Sequence, residues 1–438
     1  MDMNQLLEKW FHLKKHQTSV KIEILAGLTT FLTMAYIIFV NPSILATTGM
    51  DSGAVFTATC LITAAATLMS AFIANSPIAI APGMALNAFF AFVVVPVYGY
   101  TWQNALGMVF ISGIVFVLLT VTKIRSLLIK SLPECLSSAV LVGISLFIAL
   151  IALKTNHIIV ISKNDVMHLG DLSRMESVLF FVGFLLIIFL DYLKVPAAIL
   201  IGLVTLTAIN TLVNHTAFQG FFALPPSISP NFMAFEFNQL HTTHAFGQIF
   251  SFVLIALFDA TGTLIGLLHK PLFIQFKNSH KKIEQTLLSD SVATTFAAVL
   301  GSSSTSPFIE SAAGIEAGGR TGLTALVISA LFIISLFLSP LVSLIPSFAV
   351  GATLLYIACC IMKDMTRLNT EDLTDFAPSV LTFLMIPFSL SIADGIGIGI
   401  ISYVLLKAAT KQWYALNPML IILTLVFILY FINNGAPG

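Results

Sequence analysis

Long apolar segments follow one another along almost the whole chain, from residue 22 to residue 434. Of its 438 residues, 58% are hydrophobic and only 9% are charged, whereas an ordinary soluble domain carries about 25% charged residues. No soluble fold could bury so much apolar surface, but a bilayer core about 30 Å thick accommodates helices of about 20 such residues. The sequence therefore predicts an all-α membrane protein that crosses the bilayer many times.

The crossings can be counted from the apolar segments and the polar residues between them. Two of them, near residues 77–98 and 302–319, are interrupted by Pro and Gly. The uninterrupted ones are 22–45, 54–74, 103–122, 134–153, 176–193, 195–213, 246–268, 286–301, 323–344, 347–362, 376–391, 393–409 and 417–434. We therefore predict about 14 transmembrane helices.

Basic residues indicate which ends of these helices face the cytoplasm. With the predicted crossings, one face of the membrane receives Lys9, Lys14, Lys15, Lys21, Lys123, Arg125, Lys130, Lys194, Lys270, Lys277, Lys281, Lys282, Arg320, Lys363 and Arg367. The positive-inside rule makes that face cytoplasmic. The longest hydrophilic connection, 214–245, contains no Lys or Arg and is predicted to lie outside. Residues 1–21 lack a signal-peptide pattern and are predicted to be a cytoplasmic N-terminus.

The two halves of the chain resemble each other weakly. NSPIAIAPGMALNAFF, from Asn75, and SSSTSPFIESAAGIEAGG, from Ser302, both contain Ser-Pro followed by small residues and Gly. A second pair of helices, one in each half, begins after Leu-Pro at Leu132 and Ile-Pro at Ile345. Two copies of seven crossings would be inverted relative to each other, as in inverted-repeat transporters, whose broken helices mark the binding site.

Polar residues within these segments are the candidates for function. Asp259 lies in an apolar run, where a carboxylate costs at least about 2.5 kcal/mol, so we expect a functional role. Thr263 follows one turn later on the same face. Glu310 and Asn87 belong to the two broken helices. The Glu310 carboxylate could accept hydrogen bonds from N–H groups of a heterocyclic base, and the Asn87 amide could both donate to and accept from its edge. Phe308 could stack on such a ring.

Structural explanations stay open for several of these residues. Asp259 could simply bond a nearby hydroxyl such as that of Thr261. The glycines of the broken segments could serve only for close helix packing. Glu316 lies near Arg320, and a cytoplasmic ion pair is as reasonable for it as a role in binding.

Other chemistries find little support in the sequence. The four cysteines show no C-x-x-C spacing, so neither a disulfide framework nor a zinc site is predicted. A formal net charge of zero gives no indication of a nucleic-acid partner. A membrane enzyme would need a nucleophile or a metal site, and we predict neither an enzyme, nor a metal, nor a cofactor.

Four ordered motifs carry a resemblance to a known family. They are ILAGLTTFLTMAYIIFVNP from Ile24, APGMALNAFFAF from Ala81, LFDATGTLIG from Leu257 and SSSTSPFIESAAGIEAGGRTG from Ser302. Together they make the chain resemble, over nearly its whole length, the AzgA-like purine permeases of the nucleobase:cation symporter superfamily, which share the uracil permease fold.

The resemblance implies a specific architecture and a specific site. It implies 14 helices in two inverted repeats of seven, with two half-helices preceded by short strands. A core domain (22–122 and 246–345) would hold the substrate against a gate domain (123–213 and 346–438). The family's functional positions correspond here to Asn87, Asp259 and Glu310. Two positions depart from many members of the family. Ala85 stands where they have a Gly, and Ala256 stands where they have a second Asp, in the same helix as Asp259.

The function expected from this resemblance is import of adenine, guanine or hypoxanthine by proton symport and alternating access. Asp259 would carry the proton, because a buried carboxyl group can load and release one near physiological pH, and the proton would be the only coupling ion. The expected location is the cell membrane, with lipid as a partner and a homodimer as one option. A uracil or xanthine permease, an anion transporter on the same fold and a passive channel are the alternatives.

Overall fold

The computed structural model describes residues 3–162, 167–214, 220–268 and 279–433. Within these ranges, nine helical stretches are long and apolar enough to cross a membrane. Shorter apolar helices lie at Met84–Val94, Ala198–Asn214, Leu373–Ser389 and Pro418–Ile432. The predicted all-α polytopic fold is confirmed. Lys270 and Lys277, residues 215–219 of the predicted outer loop and residues 434–438 of the predicted gate lie outside the described residues.

The first half of the chain contains ten helices and three short strands among the described residues. They are α1 (Met3–Phe11), α2 (Val20–Met34), α3 (Ile37–Ala46), α4 (Ser52–Met69), β1 (Ile80–Pro82), α5 (Met84–Phe89), α6 (Trp102–Val121), α7 (Ile124–Ser131), α8 (Glu134–Thr155), β2 (Ile159–Ile161), β3 (Met167–Leu169), α9 (Met175–Tyr192) and α10 (Ala198–Asn214). Wider π-helical turns extend α4 through Ser70–Ala74 and α5 through Phe90–Val94.

The second half repeats this order in its described part. It contains α11 (Thr243–Leu268), α12 (Ser279–Leu300), β4 (Thr305–Pro307), α13 (Ser311–Glu316), α14 (Gly322–Ser335), α15 (Ser347–Met362), α16 (Leu373–Ser389), α17 (Ile392–Ala409) and α18 (Pro418–Asn433). Tight 3₁₀ turns follow α14 at Leu336–Leu344 and α15 at Lys363–Arg367. The seven helices α11 to α17 make up the second repeat, and α18 follows them at the end of the described chain.

The two broken crossings are half-helices preceded by strands, as predicted. β1 leads into α5 and β4 leads into α13, and the two strands pair antiparallel with Ile80 opposite Pro307. Antiparallel pairing is what two inverted copies produce when they meet. A second strand pair, β2 with β3, was not predicted. It links α8 to α9.

Prolines shape several helices of both halves. Pro133 and Pro346 stand at the N-caps of α8 and α15, which are the equivalent helices predicted from the repeat. Pro42 lies inside α3. Its ring meets the carbonyl group of Ile38, four residues earlier, and it lacks an N–H, so its effect falls within α3. The break between α2 and α3 lies earlier in the crossing, at Ala35 and Tyr36.

Glycines of the second broken segment do allow close packing. A Cβ atom on Gly314 would lie 2.6 Å from the Ala26 carbonyl oxygen, and one on Gly319 would lie 2.8 Å from the Ala26 side chain. These glycines therefore bring α13 against α2. Gly83 is different, since a Cβ atom there would meet the Asp259 carboxyl group at 3.2 Å.

Glu23 joins the first crossing to the start of α14. Its buried carboxylate accepts hydrogen bonds from the N–H groups of Arg320 (3.0 Å), Thr321 (3.3 Å) and Thr324 (3.2 Å), and from the Thr324 hydroxyl (2.6 Å). The first N–H groups of a helix have no partner within it, so this carboxylate caps α14 from a neighbouring helix.

Replacing Glu23 by Ala is therefore expected to destabilise the protein by about 2 kcal/mol or more, because the capping bonds are lost in a buried place. A lower unfolding temperature of the purified protein in detergent would show this. Glu176→Ala, which removes an exposed carboxylate from the first turn of α9, is the control. Equal unfolding temperatures for the two variants would contradict the capping role.

Helices pack in two groups. One group contains α2, α4, α6, α12 and α14, in which α6 lies against α12 and α14 lies against α2 and α4. The other contains α8, α9, α15, α16 and α17, in which α8 lies against α15, α16 and α17. The short helix α7 connects α6 of the first group to α8 of the second. The division into core and gate domains that move stays a prediction.

Candidate functional site

The two strands hold the starts of the half-helices beside each other. The Gly83 N–H donates to the Ser304 carbonyl (3.0 Å), and the Phe308 N–H donates to the Ala79 carbonyl (2.9 Å). The Ala79 N–H in turn donates to the Ser311 hydroxyl (3.0 Å). These bonds satisfy backbone groups that would otherwise be costly to bury in a membrane protein. They also fix which side chains surround the crossing point.

Asp259 lies beside this crossing point, in the second half of α11. Its carboxyl group neighbours both Gly83 of the first broken segment and Ser306 of the second. The residue is partly accessible rather than sealed in the protein. Thr261 does not hold it, because the Thr261 hydroxyl donates to the Leu257 carbonyl (2.5 Å). Thr263 is half-buried one turn further along, and its role in binding stays a prediction.

Asn87 lies in the first turn of α5 and is completely buried. Its Oδ1 atom accepts a hydrogen bond from the Ser303 hydroxyl. Its buried Nδ2 atom has no hydrogen-bond partner among the described residues. Because a buried donor without a partner costs about 1–3 kcal/mol, this N–H group is a site where a polar ligand could bind.

Glu310 occupies the N-cap position of α13, as predicted from the start of the second broken helix. Its Oε1 atom accepts a hydrogen bond from the Tyr36 hydroxyl at 2.6 Å. Glu310 is partly accessible and follows β4, whose Ser306 neighbours the Asp259 carboxyl group. The two predicted carboxyl groups therefore both lie beside the strand pair.

Phe308 and Glu316 have different surroundings. Phe308 follows β4 directly and is 5% exposed, within the largest apolar cluster. It is next to the site in the chain, but its stacking on a ligand stays a prediction. Glu316 is the last residue of α13 and is exposed. Asn87, Asp259 and Glu310 therefore stay the predicted binding residues near the two strands, together with serines of the second broken segment such as Ser303 and Ser306.

Two functional candidates were missed in the sequence. Tyr36 is an ordinary aromatic residue of an apolar segment, and only its contact with Glu310 makes it notable. Asp290 of α12 also lies within a predicted crossing and is fully buried. It lies 3.8 Å from the Arg125 guanidinium and accepts a hydrogen bond from Thr305 of β4 (3.1 Å). The rule that singled out Asp259 would also have found it.

Tyr36→Phe is expected to raise the substrate concentration for half-maximal uptake about tenfold, because Glu310 loses a bond of about 1.5–3 kcal/mol that fixes its orientation. The maximal rate should change little. Concentration dependence of uptake measures both quantities. Tyr192→Phe, at a side chain that is 81% exposed, is the matched control. An unchanged half-saturation value would contradict this role for Tyr36.

Carboxyl groups and an amide gathered where two half-helices meet define a membrane transport protein of the inverted-repeat class. A family model for xanthine and uracil permeases, described as "Permease family", matches residues 21–431. The chain belongs to this permease family.

Curated relatives agree over nearly the full length. Adenine permease AdeP of Escherichia coli (strain K12) is 39% identical over 424 residues, which cover 97% of this chain and 95% of that protein. Guanine/hypoxanthine permease PbuO of Bacillus subtilis (strain 168) is 40% identical over 427 residues, which cover 95% of this chain and 98% of that protein.

Solved structures with a similar fold come from transporters of low sequence identity. The transmembrane domain of the cyanobacterium bicarbonate transporter BicA gives a TM-score of 0.62 at 15% identity, covering 86% of this chain and 97% of that domain. SLC26A9 gives 0.63 at 14% identity, covering 88% of this chain and 65% of that protein. At these identities the likeness concerns the fold alone.

Proposed function

We propose that this permease imports purine bases, among adenine, guanine and hypoxanthine, together with protons. Relatives of 39% and 40% identity bear the names adenine permease and guanine/hypoxanthine permease, and their similarity extends over nearly the whole chain. The site adds a chemical argument, because the edge of a purine presents ring-nitrogen acceptors next to N–H donors.

The observation that carries this proposal is the pairing of one unsatisfied donor with two acids. Asn87 offers a buried N–H group that finds no partner in the described part of the chain, which suits a purine ring nitrogen. Asp259 and Glu310 offer carboxyl oxygens, which suit purine N–H groups. A site built of such groups rejects ligands that cannot satisfy them. Phe308 would stack on the ring, and Thr263 would complete the polar surface.

Asp259 is the residue we assign to proton coupling. Its described neighbours, Gly83 and Ser306, carry no positive charge that would stabilise its carboxylate in this interior. Burial disfavours an uncompensated charge in general, which favours binding of a proton. When Asp259 binds or releases that proton, the charge of the substrate site changes. Glu310 and Tyr36 then form the part of the site that recognises the base.

Transport would proceed by alternating access. The core (22–122 and 246–345) would hold the base while the gate (123–213 and 346–438) moves against it and opens the site to either side. The basic clusters favour a cytoplasmic N-terminus, and the cell membrane is the proposed location. Lipid surrounds the protein, and a homodimer is compatible with this arrangement.

Uracil, xanthine or an anion are the rival substrates on the same fold. The structural neighbours bear the names of a bicarbonate transporter and of SLC26A9, but they are far less similar in sequence than the purine permeases. An anion would also meet the carboxyl groups of Asp259 and Glu310, which repel negative charge. The site therefore favours a neutral base.

The decisive experiment is uptake of labelled adenine, guanine, hypoxanthine and uracil into cells that lack their own permeases. We expect uptake of at least one purine, its inhibition by a proton uncoupler, and no competition by bicarbonate. Empty-vector cells are the control. Uptake of uracil alone would contradict the purine assignment, and uptake that ignores the uncoupler would contradict proton symport and indicate a passive channel.

A further inference from the structure

Arg125 carries a positive charge into the interior, although it belongs to the short connecting helix α7. Its side chain is 1% exposed, and Nη2 lies 3.8 Å from Oδ2 of Asp290, which is equally buried. Nη1 donates to the Leu287 carbonyl (3.2 Å) and to the Ser291 hydroxyl (3.3 Å). The guanidinium group also lies 4.0 Å from the centre of the Phe116 ring. These contacts fasten the first turn of α7 to α12.

Asp290 continues this connection into the site. The Thr305 hydroxyl donates to Oδ1 of Asp290 (3.1 Å) and lies equally near its backbone carbonyl (3.2 Å). Thr305 belongs to β4 and pairs with Pro82 of β1. The next residue, Ser306, neighbours the Asp259 carboxyl group. A continuous series of polar contacts therefore runs from α7 through α12 to the strand that forms the site.

The position of α7 makes this series more than a packing detail. α7 is the covalent link between α6, which packs on α12, and α8, which packs on α15 and α16. The chain also passes between the groups from α14 to α15, so α7 is one of the links at which a movement of one group against the other is absorbed. Arg125, at its second residue, fixes the start of the link to the group that holds Asp259.

We propose that Arg125 is a positioning residue that couples the α7 link to strand β4 of the substrate site. Through Asp290 and Thr305, the conformation of the link and the geometry around Asp259 change together. This inference rests on the proposed function only in what the coupling serves, which is the transition between the two open states of the transporter. The contacts themselves hold for any substrate.

The chemistry of the contact requires Arg. A guanidinium group directs one nitrogen toward Asp290 while another bonds Leu287 and Ser291, whereas the single ammonium group of Lys cannot reach all three. A neutral replacement would leave the Asp290 charge buried without its partner, which is costly. Arg125→Lys keeps the charge and therefore protects folding, while it loosens the geometry.

The test compares Arg125→Gln, Arg125→Lys and Lys123→Gln with the unmodified protein, purified in lipid nanodiscs. Lys123 is exposed and lies two residues away, so Lys123→Gln is a matched control. Hydrogen exchange is measured in 124–131 and in 302–310. For Arg125→Gln we expect exchange in both segments to rise about tenfold, the size of a typical coupling between linked sites. Arg125→Lys should lie between, and the control should be unchanged.

Transport gives the second measurement. At equal amounts of protein in the membrane, both Arg125 variants should lower the maximal uptake rate, and Arg125→Gln should lower it more than Arg125→Lys. The half-saturation concentration should stay within about threefold, because the binding groups remain in place. Exchange that rises in 124–131 but not in 302–310 would overturn the coupling. So would full transport activity in Arg125→Gln.

The two proposals can fail separately. Hydrogen exchange needs no purine, so an unmodified protein that takes up no purine would overturn the proposed function while the exchange result still decides the role of Arg125. Conversely, normal purine uptake with exchange unchanged at 302–310 in both Arg125 variants would overturn the inference and leave the proposed function standing.

Discussion

Asp259→Asn is expected to abolish accumulation of purine against a gradient while leaving exchange of purine across the membrane. Asn preserves the shape of the side chain and can still bond a base, but it cannot carry a proton. One elementary charge moved through 100 mV is worth about 2.3 kcal/mol, which corresponds to roughly 40-fold accumulation at 1.4 kcal/mol per factor of ten. The variant should lose this accumulation completely.

Proteoliposomes with an imposed proton gradient would measure this. Labelled purine is followed in two modes, as net accumulation and as exchange against unlabelled purine inside. Asp171→Asn, at an exposed carboxylate outside the membrane, controls for the loss of a charge. Accumulation by Asp259→Asn equal to that of the unmodified protein would remove Asp259 from proton coupling. Loss of both modes would make it a binding residue instead.

Asn87→Ala has the second largest expected effect. The change removes the N–H group proposed to bond the purine and also leaves the Ser303 hydroxyl without its partner. Each buried polar group left without a partner costs about 1–3 kcal/mol. The half-saturation concentration for purine should therefore rise about ten- to a hundredfold.

Uptake over a range of purine concentrations, normalised to protein in the membrane, tests this. Asn238→Ala, at an exposed position of the loop before α11, is the matched control. Ser303→Ala should give a smaller rise, because Asn87 keeps its own N–H group for the ligand. An equal rise in Ser303→Ala and Asn87→Ala would indicate that the pair supports the fold of the site rather than the ligand.

Local signals in the sequence predicted most of the fold. A helix needs a long apolar segment to cross a membrane, whatever its tertiary contacts. The crossings predicted from such segments therefore fall close to the observed helices. Pro and Gly likewise marked the broken helices correctly, since their backbone effects are local. The helix α12 begins at Ser279, before the crossing predicted to start at residue 286. Its first turns are rich in Lys and Glu, which are good helix formers but not apolar.

The site was predicted only as a set of residues. Asp259, Glu310 and Asn87 were found because polar groups are costly in apolar segments. Tyr36 and Glu310 are 274 positions apart in the chain, and nothing local links them. Asp290 was overlooked because it lies near the start of the predicted crossing 286–301, where polar residues are common. Its contact with Arg125 depends on how α7 folds back, which no local pattern determines.

The antiparallel pair of β1 and β4 also has a consequence for biosynthesis. Thr67 of the first repeat bonds both backbone groups of Ile80, but the Ala79 N–H group finds its partner Ser311 only 232 positions later in the chain. The first repeat is therefore made before that partner exists. Backbone groups without a partner are costly in lipid, and contacts between distant residues form late in folding. The two strands can therefore pair only once β4 has been made, and a chain that ends before β4 lacks the second half of the proposed substrate site.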